Sequence, residues 1–143
     1  MKLNHFKESE FRGWYPYISP ELLIRMDAMR GVLGYPIYVS PADGSIGRHG
    51  SIETGRSYHK YRQHGGVVKA IDVFPIKVEP EKWLKVARLV GIRGFGFYPQ
   101  GWFNGRPHPR IHLDVRDKKG SWSVIDGEEQ ALSLGIAYWE NNK

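Results

Sequence analysis

A single carboxylate inside an apolar strand constrains this chain more than any other feature. The run Ala70-Ile71-Asp72-Val73-Phe74-Pro75 is β-branched and aromatic around Asp72, a composition that predicts a largely buried strand. Burying an ionised carboxylate is expensive unless it is paired, hydrogen-bonded or bound to a metal. The fold must therefore bring Asp72 a partner. A second run, Ile111-His112-Leu113-Asp114-Val115, alternates apolar with polar residues. Its period of two places His112 and Asp114 on one face of a strand and the apolar residues on the other.

Other elements follow from local signals. Ser19-Pro20-Glu21 supplies an N-cap with proline at the first helical position, and Leu22, Met26, Met29 and Leu33 recur at helical spacing before the stops Gly31 and Gly34. Pro36 to Ser40 reads as a strand. A second helix begins at Pro80, carries Trp83, Val86, Ala87 and Val90 on one face, and ends at Gly91. Val67–Phe74, Gly94–Tyr98 and Arg110–Val115 read as strands, and 126–139 as a short helix interrupted by Gly135. Without a regular βαβ rhythm, these elements predict one α+β domain over residues 1–143, with a small, mostly antiparallel sheet and flanking helices.

About 26 residues separate the strand near Ser40 from the one near Val67, and they hold six glycines, His49, His59, His64, Arg48, Arg56 and Arg62. Unstructured connections of that length in a compact domain are functional or disordered, and we read this one as a functional loop. Two further histidines, His108 and His112, fall in His108-Pro109-Arg110-Ile111-His112-Leu113-Asp114. The chain has no cysteine, which excludes disulfide scaffolds, thiolate zinc sites and thiol nucleophiles. Any metal must be held by histidine and carboxylate. His59, Asp72 and His112 together would offer two imidazoles and one carboxylate with an open fourth position, a donor set that suits zinc. No HExxH motif occurs. Asp114 then has two roles open to it: fixing the tautomer of a ligating histidine, or carrying a proton. His108 is the other candidate for proton transfer, and Arg48 can present a fork to a substrate carboxylate.

In order, Phe6-Lys7-Glu8-Ser9-Glu10-Phe11, Gly34-Tyr35-Pro36-Ile37, Ser57-Tyr58-His59, Ala70-Ile71-Asp72, Gly94-Phe95-Gly96-Phe97-Tyr98-Pro99 and His112-Leu113-Asp114 resemble the D-alanyl-D-alanine carboxypeptidase-like zinc peptidases, particularly their small phage members. The resemblance spans nearly the whole chain. It implies the α+β core shared by these peptidases and hedgehog signalling domains, with His59, Asp72 and His112 as zinc ligands. It also implies a peptidase acting on peptidoglycan peptides, as an endolysin or a virion-associated lysin. His59 lies thirteen residues before Asp72, farther than in most relatives, and His64 is the rival first ligand. Where many relatives carry an acidic general base, three residues before the last histidine, this chain has Pro109.

The net charge of +6 suits an acidic cell wall, and less specifically nucleic acid. A non-catalytic virion protein that keeps the fold, or a basic nucleic-acid-binding domain, are the alternatives. The first residues lack the apolar region of a signal peptide and no stretch is long enough to span a membrane. The expectation is a protein made in the cytoplasm that reaches the wall by lysis, a holin or incorporation into a virion.

Overall fold

The computed structural model describes residues 2–48, 57–59 and 64–143. Ser19 caps α1 (Pro20–Leu33) as its sequence predicts: its hydroxyl accepts from the Leu22 amide at 3.3 Å, and the helix ends on Gly34 at φ 76°. Gly31, expected as a stop, lies inside the helix. The His5 ring occupies the space a Cβ would need, with Nε2 at 2.7 Å from that point. The Asp27 carboxylate of α1 accepts from the amides of Asn4 and His5 and so ties down the N-terminal segment.

The strands are β1 (Ile37–Val39), β2 (Ala70–Pro75), β3 (Gly94–Tyr98), β4 (Trp102–Phe103), β5 (Arg106–Pro107), β6 (Arg110–Asp114), β7 (Gly120–Ile125) and β8 (Glu128–Gln130), with α2 (Pro80–Leu89) after β2 and α3 (Leu132–Asn142) after β8. Six strands form one sheet in the order β1-β2-β6-β3-β7-β8, while β4 and β5 make a separate hairpin. The α+β class matches expectation, but the sheet is mixed rather than small and mostly antiparallel. It contains a parallel pairing of β3 with β7. After β3, the chain turns back through β6 on one flank and re-enters as β7 on the other, so β7 runs in the direction of β3. The expected helix at 126–139 begins later, because Glu128–Gln130 first pairs with Ser123–Ile125.

The two sheet faces differ in kind. Ile71, Val73, Phe95, Phe97, Ile111 and Leu113 are fully buried and in register on one face. Trp83 of α2 lies against Phe97, Gly135 of α3 meets Phe97 and Ser123, and α1 packs beside α2. Trp83 is fully buried and its indole N–H donates to the Tyr35 hydroxyl; truncating such a residue to alanine costs about 3–5 kcal/mol. The opposite face carries Asp72, His112, Gly96 and Trp122 in one lateral row across β2, β6, β3 and β7.

Candidate metal centre

Register brings Asp72 its partner. Asp72 and His112 are directly opposed on β2 and β6, the arrangement in which cross-strand side chains lie closest together. The loop supplies the third group. Ser45 C=O accepts from the Asp72 amide, Ile46 is buried, and the Arg48 amide donates to His59 C=O while Lys69 N–H donates to Tyr58 C=O. These contacts hold the loop ends against β2 and fold the His59 ring over the row. His49, Arg56 and Arg62 of the loop lie outside the described residues.

His59 Nε2, His112 Nδ1 and Asp72 Oδ1 form a nearly equilateral triangle, with His–His separation 3.2 Å and both His–Asp separations 3.3 Å. All three residues are buried. Donors around a tetrahedral zinc with bonds of ordinary length stand about 3.3 Å apart, so the triangle has the right size. The hydrogen bonds behind the rings set its character. His59 Nδ1 lies 2.9 Å from Ile46 C=O, and His112 Nε2 lies 2.7 Å from Asp114 Oδ2. A carbonyl and a carboxylate only accept, so each neutral ring carries its proton on the outer nitrogen and turns a lone pair inward. Two lone pairs and a carboxylate oxygen then converge with no proton between them, an arrangement that calls for a cation. Zinc fits this donor set.

With no cation bound, burial opposes ionisation of Asp72, but a proton taken up between it and the rings of His112 and His59 supplies hydrogen bonds and charge that outweigh burial and hold the carboxyl well below its usual range. Asp114 behaves likewise: burial raises it, while Arg116 and His112 more than compensate and keep it ionised. Both its oxygens are engaged. Oδ1 accepts from the Arg116 amide and Nε, and Oδ2 from Arg116 Nη2 at 2.6 Å as well as from His112. The Arg116 guanidinium is steadied over the rings of Trp122 and Tyr58.

The triad forms part of the wall of an open cavity of about 360 Å³. Arg48, expected to face substrate, lines it, with its Nε donating to Gly44 C=O. His64, the rival ligand, is stacked on Tyr58 and directs its Nε2 at Ser57 C=O; it is outside the triad. His108 is a correction. It does not line the cavity but is buried against Trp83, Phe74 and Phe103, because the chain enters β6 through the aromatic cluster around the β4–β5 hairpin. Two cavity residues, Glu129 and Arg110, have no counterpart in the sequence reading. Glu129 is carried by the short strand β8, and its only sequence signal is alternation too brief to identify a strand.

No family model, curated protein or solved structure matches the chain. No helix among the described residues is long and apolar enough to cross a membrane.

Proposed function

We propose that this protein is a zinc-dependent peptidase that hydrolyses peptide bonds in bacterial peptidoglycan. The observation that carries the hydrolytic reading is the triangle of His59, Asp72 and His112: two lone pairs and a carboxylate aimed at one point in the wall of an open, arginine-lined cavity. Zinc bound there would polarise a substrate carbonyl and bring the pKa of a bound water to about 7. The chain's own residues do the rest. Ile46 C=O and Asp114 hold the imidazoles in their ligating tautomers. Arg48 orients an anionic group of the substrate. Among the described residues that line the cavity, Glu129 is the acidic side chain beyond the triad, and it receives the proton from water by way of an intervening water, whereas Asp114 is saturated and His108 lies outside the lining.

The choice of peptidoglycan rests on the ordered motifs from Phe6 to Asp114, which resemble phage wall peptidases and would give the chain their hedgehog/DD-peptidase fold. A phage endolysin or virion-associated lysin is the setting this reading implies, and a charge of +6 assists approach to an anionic wall. A non-catalytic virion protein that retains the metal is the second reading, favoured by Pro109 and by the full engagement of Asp114. Zinc-loaded protein incubated with purified peptidoglycan decides between them. Release of soluble peptides with new termini, read by mass spectrometry and lost on chelation, is expected. No release from several wall chemotypes would overturn the enzymatic reading.

A further inference from the structure

The β4–β5 hairpin carries aromatic surface that the core does not use. Phe103 is stacked on Phe74 at 4.7 Å and 16° and on Tyr38 at 5.6 Å and 30°, and Phe74 and Trp83 in turn pack on His108. The inner rings of this stack, Phe74 and Trp83, are buried, so it is footed in the core. The outer rings are in water: Tyr38 is 40% exposed and Trp102 65%. Trp102 precedes Phe103 on β4 and so faces the other way, beside its register partner Pro107. The hairpin closes through Asn104 and Gly105 at φ 52° and 76°, the two left-handed positions of a type I′ turn, and holds Trp102 on a fixed support. Apolar ring surface kept in water on a rigid frame marks a binding surface.

Continuity and charge indicate the occupant. Phe74 lies two residues beyond Asp72 on β2, and therefore on the face that carries the triad. It follows Val73, and Arg110 precedes Ile111, so Phe74 and Arg110 are neighbours across the β2–β6 ladder; Arg110 lines the cavity. The aromatic ledge thus runs on from the cavity, and a polymer whose branch enters the cavity passes over it. Residues 34–42 and 99–109, which carry the ledge, contain no acidic side chain, while Arg106, paired with Phe103 across the hairpin, is exposed. This rim suits an anionic wall. The ring of an N-acetylated amino sugar offers a face of C–H groups and an acetamido methyl to an aromatic ring. Its hydroxyl edge is left for the Tyr38 hydroxyl, the Trp102 indole N–H and the Asn104 amide. We propose that Tyr38, Phe103 and Trp102 form a carbohydrate-binding ledge for the N-acetylated amino-sugar strand of peptidoglycan, holding that strand while its attached peptide enters the cavity. This inference rests on the peptidoglycan reading given above.

The test measures binding without turnover. Peptidoglycan glycan strands stripped of their peptides by an amidase are titrated by calorimetry into zinc-loaded wild type, Trp102→Ala and Trp102→Phe. Wild type is expected to bind them, Trp102→Ala to bind about tenfold more weakly, the scale of one ring contact, and Trp102→Phe to recover part of the loss. Trp102 is largely exposed, so both variants are expected to fold, which matching thermal unfolding curves would show. Cellohexaose, a chain of sugar rings without acetamido groups, should bind wild type at least about tenfold more weakly than the stripped strands. No binding of the strands by wild type, equal affinity in Trp102→Ala, or equal affinity for cellohexaose would overturn the proposal. If wild type binds the strands through Trp102 yet releases no peptide from whole wall, the peptidase reading fails and the ledge stands. If it releases peptides but does not bind the stripped strands, the ledge fails and the peptidase reading stands.

Discussion

His112 Nε2 lies 2.7 Å from Asp114 Oδ2, and Asp114 is itself locked by three hydrogen bonds from Arg116. The acidic residue two places after the histidine therefore acts behind it, keeping its inner nitrogen deprotonated and its ring in place. Asp114→Asn removes the charge and can present an N–H to the ring instead of an acceptor. Zinc affinity, measured against a competing chelator, is expected to fall about 10–100-fold. Unchanged affinity would mean that Asp114 does not orient the ring.

Gly94 faces Asp114 across the β3–β6 ladder, and a Cβ there would come within 1.9 Å of Asp114 Oδ1. Arg116 leaves that carboxylate nowhere to go. Gly94→Ala should lower stability by about 1–3 kcal/mol, as overpacking does, and should weaken zinc binding in parallel with Asp114→Asn. Denaturant unfolding with and without zinc checks both effects. Full stability and affinity in this variant would show that β3 has slack.

Asp72, His112 and Asp114 were legible in the sequence because of a two-residue period and a cost, whereas His59 was separated from His64 only by its Ser57-Tyr58-His59 context. His112 and Asp114 fall on the polar face of an alternating run, and Asp72 interrupts an apolar one. The Gly94-Phe95-Gly96 phrase was visible, but its reason was not: Asp114 and Trp122 press on the two glycines from neighbouring strands. Strand pairing depends on which distant segments become neighbours, and nothing local in Gly120–Ile125 announces a parallel partner for β3. Arg110 and Glu129 were hidden for the same reason. Each becomes a cavity residue only once β3, β6, β7 and β8 are ordered side by side.

Glu129→Gln keeps the size of the side chain and removes its proton affinity. With Glu129 as the base, kcat on wall peptides falls about 10²–10⁴-fold, while zinc content stays at the wild-type level. A His108→Gln protein should lose stability through its buried aromatic contacts but, once folded, should retain the pH–rate profile of wild type. A pH profile altered by His108→Gln and untouched by Glu129→Gln would reverse the assignment.

Glu21 on α1 receives Nη1 and Nη2 of Arg93 at 2.9 and 3.1 Å, and Arg93 also donates to the carbonyl groups of Val115 and Arg116 at the end of β6. The hydrogen bond from Arg93 lowers the Glu21 pKa below 4.5 despite some burial. A carboxylate depressed in the folded state contributes stability above its unfolded pKa and loses that contribution as pH falls through the folded one. Glu21→Gln should therefore be destabilising at neutral pH, by less than about 1 kcal/mol for so exposed a pair, with the gap closing below about pH 4. Thermal unfolding of both proteins from pH 7 to pH 3 checks the convergence; a gap that stays constant with pH would contradict it.

Metal content measured on wild type and on His59→Ala, His64→Ala and His112→Ala tests the triad most directly. The geometry predicts about one zinc per chain in wild type and in His64→Ala, with the metal lost from His59→Ala and His112→Ala. Zinc retained by His59→Ala and lost from His64→Ala, or no zinc in wild type, would contradict the account.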